Sequence, residues 1–225
     1  MRSKRYQKIK LNIDKKKDYS LEEAIKIIKE NASAKFDETI ELHIQLGINP
    51  RKTEQQVRGV VTLPHGIVKK RKIIAFVKEG KEKDAEKAGA DLVGGRKLIQ
   101  KIQEEGSCNF DIVVAHSDLM VDLAKIAKIL GPKGLMPSPK AGTIGLDVPG
   151  IIKELRRGKI TFKNDAGANL HQAVAKISWD LGKIKENIKE YLNIVKKAKP
   201  AGAKGVFIKK VFLCSTMGPA LKITI

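Results

Sequence analysis

Phe36-Asp37-Glu38-Thr39-Ile40-Glu41-Leu42-His43-Ile44-Gln45-Leu46 is the stretch on which the fold turns. Phe36, Ile40, Leu42, Ile44 and Leu46 fall on one side of a two-residue period, and Asp37, Thr39, Glu41, His43 and Gln45 on the other. Successive side chains of a strand point to opposite faces, so the alternation predicts a half-buried strand. The outward face carries short donors and acceptors rather than lysines, in a chain that is otherwise strongly basic. Such a face suits 2′-hydroxyls and sugar edges, with charge neutralisation left to lysines elsewhere. An ordinary solvated strand face is the other reading.

Upstream, Ser20-Leu21-Glu22-Glu23 is a capping box opening a helix whose apolar stripe is Leu21, Ala24, Ile25 and Ile28. Residues 1–17 form a basic arm, either ordered only against a partner or a solvated tail. Downstream, a turn at 47–52 leads to a second strand over 57–63. Two strands and one helix are too few to close a core. The missing pieces lie at the other end of the chain. Strand patterns return at 160–163 and around 174–177. A long helix then starts at Asp180, its expected cap, with Trp179 and Ile184 placed for a hydrophobic staple. Leu181, Ile184, Ile188, Leu192 and Val195 line one side of it, and strands at 206–214 and 220–225 close the chain.

Between these ends the texture differs. The apolar run 73–77, a charged helix over 81–88, a strand at 91–93, a helix over 96–105, the apolar strand 111–115 and a helix over 118–130 alternate with short gaps. Alternating β and α with continuous apolar strands reads as a small Rossmann-like parallel sheet. The expected fold class is therefore α/β: a discontinuous α+β domain from residues 1–67 plus 159–225, with an inserted domain at 68–158. The two chain crossings would form a double hinge.

The net charge is +20. A field of this strength favours a polyanion, and no apolar run approaches the ~20 residues that span a bilayer, so no membrane partner is expected. By the boundaries above, the insert carries eighteen Lys and Arg against twelve Asp and Glu, +6, and the two ends carry the remaining +14. The terminal domain should dominate polyanion binding. Aromatics are only 4%, which argues against a single-strand binder built on stacking platforms and for structured RNA or duplex read by shape. Cys108 and Cys214 lack partners at CxxC spacing and read as reduced, buried small hydrophobes of a cytoplasmic protein.

Catalytic chemistry is not legible. The βα turn Lys78-Glu79-Gly80-Lys81-Glu82 has one glycine and two carboxylates that would repel a pyrophosphate, and Gly131-Pro132-Lys133-Gly134 lacks the GK[ST] of a Walker A loop. His43, His65, His116 and His171 show no metal-ligand spacing and read as structural. No enzyme activity, cofactor or metal is expected. A nucleotide-dependent enzyme using the insert and a non-specific basic coat for nucleic acid are the rival readings.

The stretch 131–143, dense in proline and glycine, forbids helix and central strand alike. Its lysines either approach phosphates or belong to a rigid connector packed between domains. The turn Ser215-Thr216-Met217-Gly218-Pro219 offers a glycine for close backbone approach and a methionine for a sugar or base edge, or is just a hairpin connection. Taken in order, Ala34-Lys35-Phe36-Asp37-Glu38-Thr39, Arg58-Gly59, Leu63-Pro64-His65-Gly66, Gly89-Ala90-Asp91, Leu130-Gly131-Pro132-Lys133-Gly134-Leu135-Met136-Pro137, Pro139-Lys140-Ala141-Gly142-Thr143 and Thr216-Met217-Gly218-Pro219 resemble the bacterial large-subunit ribosomal protein L-one family.

That resemblance implies a ribosome-associated protein that binds the mobile stalk of large-subunit rRNA beside the tRNA exit site. It implies help in releasing deacylated tRNA, repression of its own operon through an rRNA-like mRNA element, and a monomer outside the ribosome. The family's RNA-contacting positions map onto Lys35, Phe36, Thr39, Glu41, Thr216, Met217 and Gly218. Lys210 stands where some relatives carry a small hydroxyl residue, so that contact is not carried over. In this picture Thr39, Glu41 and Thr216 exchange hydrogen bonds with RNA, Met217 and Gly218 pack closely, Phe36 anchors the strand, and Lys35 meets phosphate.

Overall fold

The structure, a computed structural model, describes residues 4–11, 13–14, 17–66, 71–78, 80–106 and 109–224, with the backbone alone at Lys140. Cys108 and Glu79, both singled out above, lie outside the described residues. The first half holds α1 Lys4–Leu11, α2 Leu21–Glu30, β1 Thr39–Leu46, β2 Arg58–Thr62, β3 Ile73–Phe76, α3 Glu82–Lys87, β4 Leu92–Gly94 and α4 Arg96–Glu105. It is followed by β5 Ile112–His116, α5 Met120–Leu123, α6 Ala127–Leu130, β6 Ile144–Gly145, α7 Val148–Arg156, β7 Lys159–Lys163, β8 Asn169–Lys176, α8 Leu181–Lys197, β9 Ile208–Ser215 and β10 Leu221–Ile223. The architecture is mixed α/β, with one parallel sheet and separate antiparallel ones. The chain divides into two compact units, Met1–Val68 with Thr161–Ile225, and Lys69–Ile160.

In the first unit an antiparallel sheet runs β10-β9-β1-β8, so β1 lies in its interior between strands from the far end of the chain. Opposed residues of an antiparallel pair share a face. Ile40, Leu42 and Ile44 stand opposite Ser215, Leu213 and Val211, and all are buried. Helices α2 and α8 cover that face. Ala24, Ile25 and Ile28 come from α2, and Ile184, Ile188, Tyr191, Leu192 and Val195 from α8. Burial of a full Leu or Ile contributes about 1.5–3 kcal/mol, which is why the alternation is obeyed strictly here. The capping box of α2 is complete: the Glu23 amide donates to Ser20 Oγ and the Ser20 amide to Glu23 Oε2, both at 3.2 Å.

Three expectations change at this level. Phe36 is not part of the strand: β1 starts at Thr39, and the Phe36 ring is 56% exposed. The slot of the same parity nearest the strand is taken instead by Glu38, which two backbone amides hold inward. Residues 4–11 are helical, not a tail, because Ile9 and Ile13 find apolar cover and Arg5 bonds to Ser33 Oγ at 3.0 Å. Asp180 does precede α8, but its side chain makes no capping hydrogen bond, and Leu181 stays partly exposed.

The second unit is a parallel sheet of order β4-β3-β5-β6. Ile74, Phe76, Val113 and Ala115 pack with Ile99, Ile102, Leu119, Leu123, Ile126 and Leu130 on one face. Ile73, Ala75, Val77 and Val114 pack with Ala85, Ala88, Val148, Ile152 and Leu155 on the other. Both faces are covered, so the strands carry no polar side. The helix expected over 118–130 opens with a 3₁₀ turn at Ser117–Leu119 and is broken into α5 and α6 by a second at Ala124–Ile126. Leu119, Leu123, Ile126 and Leu130, at helical spacing, all remain buried against the sheet. Helix α7, which closes the second face, was not anticipated. Its sequence signal is Asp147, which accepts the Gly150 amide at 3.1 Å, followed by Pro149 in the first turn. The 131–143 stretch is pinned within its own unit. The Leu135 amide donates to Leu130 O at 3.0 Å, the Ser138 amide to Thr143 Oγ1 at 3.0 Å, and Leu135 and Met136 pack on the core.

Candidate nucleic-acid interface

Where β9 ends and β1 begins, two segments 177 residues apart lock together. The Thr39 amide donates to Thr216 Oγ1 at 3.0 Å, the Thr216 amide donates to Thr39 O at 3.0 Å, and Thr216 Oγ1 donates to the same carbonyl at 3.3 Å. The Thr216 hydroxyl therefore has its proton committed and one acceptor position left for a ligand. Lys176 Nζ donates to Thr39 Oγ1 at 2.9 Å and to Asp37 O at 3.0 Å.

Beneath this pair lies Glu38, only 2% exposed. One carboxylate oxygen accepts the Met217 amide at 3.0 Å and the other the Ala34 amide at 3.3 Å. Its own carbonyl accepts the Ile177 amide at 3.0 Å. Glu38 thus fixes the two flanks of the patch, Ala34 before it and Met217 across from it. Arg5 adds a third tie, donating to Met217 O at 3.2 Å. The turn closes when the Gly218 amide donates to Ser215 O at 3.1 Å. A Cβ on Gly218 would come within 2.5 Å of Ser215 Oγ, so any larger residue here must displace the Ser215 hydroxyl.

Six of the seven expected positions gather at this junction: Lys35, Phe36, Thr39, Thr216, Met217 and Gly218. Phe36 and Met217 are large apolar side chains left 56% and 47% exposed. Two such exposed side chains cost the monomer solvation and offer apolar contact to a sugar or base, and the Met217 backbone is held by the hydrogen bond from its amide to Glu38. Glu41 lies farther along β1, opposite Cys214, where its carboxylate is 3.8 Å from His43 Nε2. Glu38, Arg5 and Lys176 were not singled out from sequence. Glu38 could have been found from its parity: it occupies a core slot of the opening alternation with a carboxylate.

On the outward face of the same sheet His43, His171 and Cys214 come together, although nothing in their spacing along the chain announces it. Cys214 is half-buried rather than a core hydrophobe. Burial, with Glu41 nearby, pushes its thiol up to about 11. Burial and then the neighbouring His171 hold His43 below the usual imidazole range, against the opposite pull of Glu41. Among the described residues no helix is long and apolar enough to cross a membrane.

Residues 28–219 match the model of the family described as ribosomal protein L1p/L10e. The large ribosomal subunit protein uL1 of Thermosipho africanus is 48% identical over 221 residues, 98% of this chain and 95% of that protein. That of Kosmotoga olearia is 48% identical over 222 residues, 99% and 96% of the two chains. That of Thermus thermophilus is 46% identical over 221 residues, 98% and 96%.

Proposed function

This chain belongs to the ribosomal protein L1p/L10e family, and on that premise we propose that its discontinuous unit docks a helical stalk of large-subunit rRNA on the Thr39–Thr216 junction. A large-subunit ribosomal protein is a structural constituent of that particle and belongs to no enzyme class. The observation that supports the site is Glu38: a buried carboxylate spends both oxygens on holding Ala34 and Met217 in place. Preorganisation of this kind reduces the ordering cost of binding. Thr216 Oγ1, Thr39 Oγ1 and Glu41 then exchange hydrogen bonds with 2′-hydroxyls and base edges, Met217 and Phe36 pack on sugars, and Lys35 meets a phosphate. In the ribosome the protein moves with the stalk beside the tRNA exit site and helps deacylated tRNA leave. Off the ribosome it is a cytoplasmic monomer whose same patch binds an mRNA element of its own operon.

The test is affinity for a stalk rRNA fragment, with Met217→Ala and Thr216→Val against the wild type. Losing a hydrogen bond or contact buried in the complex costs about 1–3 kcal/mol, so each variant should bind about tenfold weaker or worse. Met217→Ala is the cleaner of the two, because Thr216 also braces the Thr39 amide. Equal binding by Met217→Ala and wild type would reject the site. Competition between the rRNA fragment and the operon leader for one site on the protein tests the repression reading.

A further inference from the structure

Glu41, His43 and Cys214 each present a ligand atom, and these atoms lie within 4.8 Å of one another. We propose that they form a binding site for one divalent ion of the zinc class, a site that needs no RNA to assemble and shares Glu41 with the patch above. The strand register builds it. Glu41 and His43 are two residues apart on β1 and share its outward face, and Cys214 stands directly opposite Glu41 on β9.

The His43–Glu41 separation matches one edge of a tetrahedral site, and the His43–Cys214 pair needs to open by a few tenths of an ångström to match another. His43 Nε2 is 3.1 Å from Cys214 Sγ and 3.8 Å from Glu41 Oε2. A tetrahedron with bonds of about 2.0–2.3 Å has ligand-to-ligand edges of about 3.3–3.8 Å. Three protein ligands leave a fourth position for a water molecule. Thiolate plus imidazole selects zinc, cobalt or a similar borderline ion over magnesium or calcium, which demand oxygen ligands.

What raises this above a chance cluster is the support behind His43. Its Nδ1 is 2.7 Å from Nδ1 of His171, directly opposite on β8, and His171 Nε2 is 3.3 Å from Asp165 Oδ2. With both rings neutral, one arrangement gives every donor an acceptor: His171 Nε2–H donates to the Asp165 carboxylate, and His43 Nδ1–H donates to His171 Nδ1. That leaves the lone pair of His43 Nε2 aimed at Cys214, the tautomer a metal requires. Asp165 is held in turn, because it accepts the amides of Gly167 at 2.9 Å and Asn169 at 2.6 Å. Imidazole ligates in its neutral form and a thiol as thiolate, so an ion that binds here displaces the Cys214 proton.

The experiment titrates the full-length, reduced, chelator-treated protein with Co²⁺ and reads its absorption. The expected result is one saturable site with a thiolate-to-cobalt charge-transfer band and intense four-coordinate bands, displaced by stoichiometric Zn²⁺ and untouched by excess Mg²⁺. Cys214→Ser should abolish the charge-transfer band, and Cys108→Ser should retain it. His171→Gln should weaken binding by about 10–100-fold, and His43→Gln by at least as much. X-ray absorption of the zinc-loaded wild type, which needs no variant to fold, should show one sulfur at about 2.3 Å with nitrogen and oxygen near 2.0–2.2 Å. A pale six-coordinate spectrum, a band that survives Cys214→Ser, one lost in Cys108→Ser, or a zinc shell without sulfur would overturn the proposal.

Discussion

Glu38 and Tyr191 are both polar and both buried, yet they should respond to mutation in opposite ways. Glu38 uses its two carboxylate oxygens on the amides of Met217 and Ala34. Hydrogen bonds to a charged group contribute about 1.5–3 kcal/mol each, so Glu38→Ala should cost about 3 kcal/mol or more, with Glu38→Gln in between. Tyr191 packs edge-on against Phe162, ring centroids 5.7 Å apart, and its hydroxyl has no hydrogen-bond partner among the described residues. Burial with nothing to bond pushes that phenol far above its ordinary value. Tyr191→Phe keeps the ring contact and removes the unsatisfied group, so stability should be unchanged or higher by up to about 1 kcal/mol. Trp179, the single tryptophan, reports urea unfolding of this unit for both variants. Neither role can be read from residue type alone. A tyrosine at a helical stripe position reads as core, and only the packed fold reveals that its hydroxyl is stranded.

At the scale of elements, α2 and α8 begin with the same kind of signal and differ in what it does. Ser20 accepts the Glu23 amide and receives the reciprocal bond, whereas Asp180 occupies the cap position without a capping bond. Ser20→Ala should therefore cost about 1 kcal/mol, and Asp180→Ala only a few tenths. Paired urea midpoints for the two variants check this, and equal losses would mean that Asp180 caps α8 in solution. Element existence was legible where one force dominates: the alternation of β1, the buried runs of β3 and β5, the box of α2 and the stripe of α8. Boundaries were not, because they depend on partners distant in sequence. Phe36 has the right parity for the strand, but Glu38 commits its carboxylate to the far end of the chain, and the strand starts only at Thr39. Helix α1 reads as a charged arm because four of its eight residues are Lys or Arg, and only the tertiary fold buries Ile9 and, just beyond it, Ile13. The Glu41–His43–Cys214 cluster stayed hidden for the same reason. Its ligands are neighbours across strands, separated by 171 residues along the chain.

At the scale of the whole molecule the question is how a chain of net charge +20 chooses one RNA among many. A long-range field of that size attracts any polyanion, and attraction alone confers no preference. The two kinds of contact respond differently to salt. Each lysine that neutralises a phosphate contributes about 0.7–0.9 to the slope of log affinity against log salt, whereas an uncharged contact lowers affinity equally at every salt concentration when it is lost. Exposed Lys35 and exposed Met217 sit at the same junction and make the comparison direct. On stalk rRNA, Met217→Ala should shift the line down by about tenfold and keep its slope, while Lys35→Ala should flatten it by about 0.7–0.9. On an unrelated RNA, Met217→Ala should change nothing and Lys35→Ala should still weaken binding. The gap between stalk and unrelated RNA should then widen as salt rises, because only the unrelated complex depends wholly on charge. Measured from about 50 to 200 mM salt, a Met217→Ala loss of the same size on both RNAs would mean that the exposed methionine contributes no selectivity, and that a basic surface is all this protein offers.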